Sequence, residues 1–231
     1  MASETPRSLG ILNLERGQPT PKPRPGGFLN PATYDFPIIV ETVEGAWADR
    51  VIRGDPALEP AYIAAARRLV ERGAVAISSN CGFSIRHQAA VAAAVNVPVA
   101  MSSLLLLPSL LRELPPTAKI AVVTADSKHC SEDLLCVDDP DLRARIVIGG
   151  IEGGKLWQNE MKRPPPLTEI ADIETDVAAC VTRLRAAHPE IATIVFECTA
   201  FPMVTAAIRR MTGLPIYDIT TLSRLTFASV A

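Results

Sequence analysis

Residues 74–100 read AVAISSNCGFSIRHQAAVAAAVNVPVA, and residues 191–217 read IATIVFECTAFPMVTAAIRRMTGLPIY. Each opens with a short apolar run that lacks polar alternation, the pattern of a strand covered on both faces. Each run ends on an amide or an acid followed by cysteine: Asn80-Cys81 in the first, Glu197-Cys198 in the second. A helical stretch comes next, then a proline and a further apolar run. Pro98 lies 17 residues after Cys81, and Pro215 lies 17 residues after Cys198. Ala89 matches Ala206, and Val91 matches Ile208. Element order, cysteine and proline spacing agree together, which marks a strand–cysteine–helix–proline–strand unit used twice. Two copies are too few for a solenoid, so the repeat predicts two pseudo-equivalent lobes.

Outward from these units, apolar runs at 8–14, 37–43, 119–124 and 145–151 read as further strands, with 97–102 and 215–219 closing the two repeats. Helical patterns occupy 59–72, 84–95, 104–114, 173–187 and 204–211. Pro60 near the start of the first and Gly73 after it are the expected start and stop signals. Strand and helix alternate, so the fold class is α/β: two pseudo-symmetric lobes, each with a short, mainly parallel sheet flanked by helices. We expect residues 1–102 with 214–231 to form the first lobe and 103–213 the second. Segment 15–36 breaks the pattern with Pro19, Pro21, Pro23, Pro25 and Pro31 and reads equally as a lid or a floppy insert. The run Pro164-Pro165-Pro166 is a second stiff loop; no function is assigned to it.

The chain has 231 residues, of which 48% are hydrophobic and 21% charged, an ordinary globular balance. Lys plus Arg number 23 and Asp plus Glu 25, a net charge of −2 that argues against a nucleic-acid partner. The most apolar stretch, 97–111, is interrupted by Ser102, Ser103, Pro108 and Ser109, so no membrane span of about 20 residues is expected. That stretch can bury within one copy or in a homodimer or higher homo-oligomer. The N-terminus lacks a signal-peptide design, and a cytoplasmic location is expected. Five widely spaced cysteines do not resemble a disulfide framework. Cys180 falls in a helical pattern and reads as core. His129, Cys130 and Cys136 lack a clear fourth ligand, so no metal is assigned. No C-x-x-C motif supports a redox role.

Cys81 and Cys198 each sit where a strand ends and a helix begins. Ligands of open α/β sheets bind beyond the carboxyl ends of strands. A helix N-terminus there lowers a thiol pKa from ~8.5 toward neutrality and attracts carboxylates. Two such thiols facing one carbon from opposite sides can remove a proton on one face and return one on the other.

These residues resemble a known family, the aspartate/glutamate racemase superfamily, over most of the chain. The most specific element is Cys198-Thr199-Ala200-Phe201-Pro202, similar to the family's Cys-Thr-x-x-Pro motif. The resemblance implies an active site in the cleft between the lobes, no cofactor, and Cys81 and Cys198 as the catalytic pair. It implies carboxylate binding at Asn13, Asn80, Gly82, Phe83, Thr124 and Thr199. Arg16 is placed to pair a second carboxylate bidentately. Two departures disfavour glutamate itself: Gly82-Phe83-Ser84 follows Cys81 in place of Asn-Thr, and Ala200 stands where glutamate racemases usually carry histidine. Decarboxylase relatives typically keep one of the two cysteines, so both together favour racemisation or epimerisation. The expected function is a cofactor-independent racemase or epimerase acting next to the carboxylate of an amino acid or derivative. Two alternatives stand beside it: a decarboxylase or cis–trans isomerase using one cysteine, and a non-catalytic binding module for a small molecule.

Overall fold

A computed structural model describes residues 7–17 and 22–230. Its strands are β1 (Ser8–Asn13), β2 (Ile38–Thr42), β3 (Ala74–Ser79), β4 (Val99–Ala100), β5 (Lys119–Thr124), β6 (Ile146–Gly150), β7 (Ile191–Phe196) and β8 (Ile216–Tyr217). They form two four-stranded sheets of identical order, β2-β1-β3-β4 and β6-β5-β7-β8, with every pairing parallel. The repeat extends to irregularities: the register shifts at Ser8/Leu9 in the first sheet and at Lys119/Ile120 in the second. The central strands β1, β3, β5 and β7 are almost wholly buried, which accounts for their unalternating Val/Ile composition.

The α-helices are α1 (Ala48–Ile52), α2 (Glu59–Glu71), α3 (Gln88–Ala94), α4 (Leu107–Glu113), α5 (Pro140–Arg143), α6 (Lys155–Glu160), α7 (Ile170–Ala187), α8 (Thr205–Thr212) and α9 (Ile219–Ala228). In α2 the buried side chains Tyr62, Ala65, Ala66 and Leu69 recur at helical spacing against the first sheet. Ile173, Val177, Cys180 and Val181 do the same in α7 against the second. Gly73 closes α2 with φ +94°, a conformation glycine adopts without steric cost. Cys180 is core, as its helical position implied.

The closing strands are shorter than the apolar runs at 97–102 and 215–219. Pro98 and Pro215 have no N–H to offer the ladder, and each contributes only its carbonyl, to Ile77 N at 2.9 Å and Ile194 N at 3.0 Å. After each short strand the chain crosses to the other lobe. Ser103 Oγ donates to Phe196 O in β7 at 2.6 Å, and the leucines that follow share a core with Ile120, Val122 and Val195 of the second sheet. Helix α9 returns the exchange, packing on β3 and β4, with its start capped by Asp218. Ile216 and Tyr217, expected with the first lobe, pair with β7 in the second sheet as β8; helix α9, which packs on the first sheet, follows from Ile219. The run expected as strand up to 219 turns helical at Ile219, because packing on the first lobe overrides the local preference of Ile and Thr.

Segment 22–36 is ordered by its aromatics. Phe28 and Tyr34 are buried, and Phe36 stacks on Phe227 of α9 with ring centroids 4.0 Å apart. Arg24 donates from Nη1 to Thr168 O at 2.6 Å. Pro19 and Pro21 fall outside the described residues. Among the described residues no helix is long and apolar enough to cross a membrane.

Candidate active site

The two cysteines begin short 3-10 segments, Gly82–His87 after Cys81 and Phe201–Val204 soon after Cys198. The strand that precedes each one ends at the face between the lobes. Asn80 and Glu197, the residues before the cysteines, each bond the end of the central strand of their own sheet. Asn80 Nδ2 meets Asn13 Oδ1, and Thr124 Oγ1 donates to Glu197 Oε2 at 2.8 Å.

The residues after the cysteines reach across to the opposite lobe. Thr199 Oγ1 donates to Asn80 O at 2.7 Å. Gly82 lies against Glu197, so closely that a Cβ at Gly82 would stand 2.3 Å from both Glu197 O and Glu197 Oε1. The interface thus has a hydrogen bond on one side and, on the other, a backbone approach that only glycine permits.

Between these elements lies an inner cavity of about 60 Å³. Cys81, Cys198, Asn80, Gly82, Phe83, Thr199 and Arg16 all line it, together with Glu197, Trp157 and Glu160. An outer cavity of about 220 Å³ shares Arg16, Asn80, Thr199 and Glu160 and adds Asn13. Its mouth runs between the two proline-bearing loops, Pro23 to Asn30 on one side and Pro165 to Thr168 on the other. The structure therefore brings eight of the nine sequence-derived site residues to two adjoining cavities.

Thr124 is the exception. It is fully buried and lines neither cavity; its hydroxyl orients Glu197. Arg16 reaches the wall, but its Nη1 pairs with Glu160 Oε1 at 2.8 Å, so the guanidinium expected for a second carboxylate already has an anionic partner. His87 is 3% exposed and stacks on Tyr62 with ring centroids 4.5 Å apart; burial lowers its pKa.

The resting thiols also depart from expectation. Burial pushes Cys81 up to about 12, with the Glu197 carboxyl adding to the rise; the amides of Phe83 and Ser84 only partly oppose it. Cys198 is raised well above its ordinary value by the same two causes in the same order. Placement at a helix start was expected to lower both. A 3-10 turn of four to six residues supplies little dipole, and desolvation of a buried thiolate outweighs it. Buried between the sheets, Glu197 is itself pushed up to about 7, against the opposing hydrogen bond from Thr124.

Glu197, Glu160 and Trp157 were not singled out from sequence. The acid before Cys198 was visible as the end of the repeat unit, and a charge closing the run IVFE was the available signal. Trp157 and Glu160 lie in the six-residue helix α6, where no periodicity marks them.

No family model matches the chain. Among characterised proteins, it is 29% identical over 221 residues to a dimethylsulfoniopropionate lyase of Durusdinium sp. clade D, covering 91% of this chain and 71% of that protein. It is 25% identical over 254 residues to dimethylsulfoniopropionate lyase 2 of Emiliania huxleyi, covering 94% and 70%. Among solved structures, glutamate racemase from Francisella tularensis superposes with a TM-score of 0.60 at 14% identity, over 97% of this chain and 81% of that one. Allantoin racemase from Klebsiella pneumoniae gives 0.63 at 9% identity, over 97% and 87%. Unliganded arylmalonate decarboxylase gives 0.54 at 16%, over 97% and 92%. With its two like-ordered parallel sheets and a cysteine at the same strand end of each, the chain has the fold of the aspartate/glutamate racemase superfamily.

Proposed function

We propose that this chain is an enzyme that removes the proton next to the carboxylate of a small acid and expels a leaving group from the adjacent carbon. The observation that carries this reading is that Cys81 and Cys198, at the same strand end of opposite lobes, line one cavity. The sequence likeness to dimethylsulfoniopropionate lyases over 91% of the chain supports elimination as the outcome. In that chemistry one thiolate takes the α-proton, the Cα–H electron pair becomes the new C=C bond, and the C–S bond breaks. Dimethyl sulfide leaves as a neutral molecule and acrylate remains.

One observation favours a second reading, inversion at the α-carbon of an amino acid or derivative. Elimination needs only one base, whereas thiols from both lobes supply the two opposed groups that inversion requires. Both readings share the proton abstraction and differ in the fate of the electron pair it releases.

Proton NMR in D₂O separates them. Dimethylsulfoniopropionate should give vinylic signals of acrylate with the wild type. Cys81→Ser and Cys198→Ser should be made singly, and the variant lacking the base should lose about 10²–10⁴-fold in rate. Exchange of Cα–H in an amino-acid pool, with inversion on a chiral column and no vinylic product, would establish the second reading instead. Wild-type rates in both single variants would overturn both.

A further inference from the structure

The wall of the inner cavity holds an acid with an unused oxygen. Glu197 is 1% exposed; Oε2 accepts from Thr124, and Oε1 has no hydrogen-bond partner among the described residues. Oε1 packs against Gly82, beside Cys81, and both Glu197 and Gly82 line the cavity.

Across the same cavity stands Trp157. Its Nε1 donates to Asp126 Oδ2 at 3.2 Å, and Asp126 is itself 4% exposed and held by His129 Nδ1 at 3.0 Å and by the backbone N–H groups of Lys128 and His129. The indole is thus pinned by its polar edge. Phe83, Leu14, Ile52 and Met161 complete an apolar lining. Arg16, the cation of the wall, is tied to Glu160. The cavity therefore presents an unpaired acid and aromatic surface.

We propose that Glu197 Oε1 and the Trp157 ring form a cation subsite that takes the onium group, sulfonium or quaternary ammonium, of a carboxylate-bearing substrate. This rests on the elimination reading above and says where the leaving group sits. An onium group has no N–H to donate, so it is held by charge and by the aromatic ring rather than by directed hydrogen bonds. It would also compensate a carboxylate whose burial without a partner is costly. Glu197 is pushed up to about 7 by burial, so cation binding should strengthen as pH rises through that value. The ionisable groups that act on or feel this carboxyl are Cys81, Cys198, Cys130 and Asp126, with the Arg16–Glu160 pair further along the wall.

Isothermal titration calorimetry with three acids of matched length tests this: 3-(trimethylammonio)propionate, its neutral carbon isostere 4,4-dimethylpentanoate, and 3-aminopropionate. We expect the trimethylammonio acid to bind the wild type about tenfold more tightly than the neutral isostere. Glu197→Gln, an isosteric change whose folding is checked by Tm, should abolish that preference and flatten its pH dependence. Trp157→Leu should reduce the preference, and Trp157→Phe should keep most of it. Equal binding of the neutral isostere would overturn the proposal, as would a preference that survives both Glu197→Gln and Trp157→Leu. Tighter binding of 3-aminopropionate than of the trimethylammonio acid would overturn it in favour of a primary-ammonium site. No binding of the trimethylammonio acid at about 10 mM would also overturn it. Acrylate formation by the wild type is measured separately. Lyase activity without onium preference removes this inference alone, and onium preference without acrylate removes the elimination reading alone.

Discussion

Glu197 carries a carboxyl to the end of a strand whose other residues are apolar, and its two oxygens have different fates. One is held by Thr124, while the other faces Gly82 without a partner. Its pKa is raised from 4.5 to about 7, so the folded state binds the proton more tightly than the unfolded state. Stability from this group is therefore greatest below about pH 4.5 and is lost as pH rises toward 7, by about 3 kcal/mol at most. Glu197→Gln should be more stable than wild type at pH 8 and no more stable at pH 4, measured by urea denaturation at both values. Gly82→Ala is expected to destabilise by about 1–3 kcal/mol, because a Cβ there meets Glu197 O at 2.3 Å and the lobes must part to admit it. The same denaturation curves would read this loss, and the rate of α-proton exchange should fall with it. The cysteines were legible in the sequence as a repeated motif, and Gly82 as the residue that follows the first of them. The reason for Gly82 was not, since the atom it accommodates lies 115 residues away in the chain.

Among the elements, the central strands were legible because burial on both faces writes an unbroken apolar run. Helices α2 and α7 were legible because one buried face recurs at helical spacing. The closing strands were overread, since proline ends their ladders after two residues. Helix α9 was missed because Ile219, Thr220 and Thr221 favour strand locally, while contacts with β3 and β4 stabilise the helix. Segment 15–36 read equally as lid or insert from sequence; its residues 22–36 are fastened to α9 through Phe36 and Phe227 and form one side of the outer cavity. Phe227→Ala should cost about 3 kcal/mol and raise amide hydrogen exchange across 28–36. Unchanged exchange in that segment would show that the aromatic stack does not anchor it.

At the scale of the whole molecule, each lobe sends the chain beyond its last strand against the other lobe. Ser103 bonds Phe196, and α9 returns to β3 with Ser223 Oγ 3.3 Å from Ser78 Oγ. Neither sheet keeps its full cover alone, so the two lobes should unfold together. Trp47 precedes α1 in the first lobe and Trp157 lies in α6 of the second, and single-tryptophan variants keeping one or the other should give coincident urea transitions by fluorescence. Two separated transitions would mean that the lobes are independent units. The α/β class, the twofold repeat and the two cysteines were present in the order of residues, because strand burial, helix spacing and punctuation by proline and glycine act over neighbours in the chain. The raised thiols, the unpartnered oxygen of Glu197, the commitment of Arg16 to Glu160 and the pinned Trp157 were decided only when the lobes closed on each other. Each depends on burial and pairing between residues distant in sequence, and local pattern carries no record of such contacts.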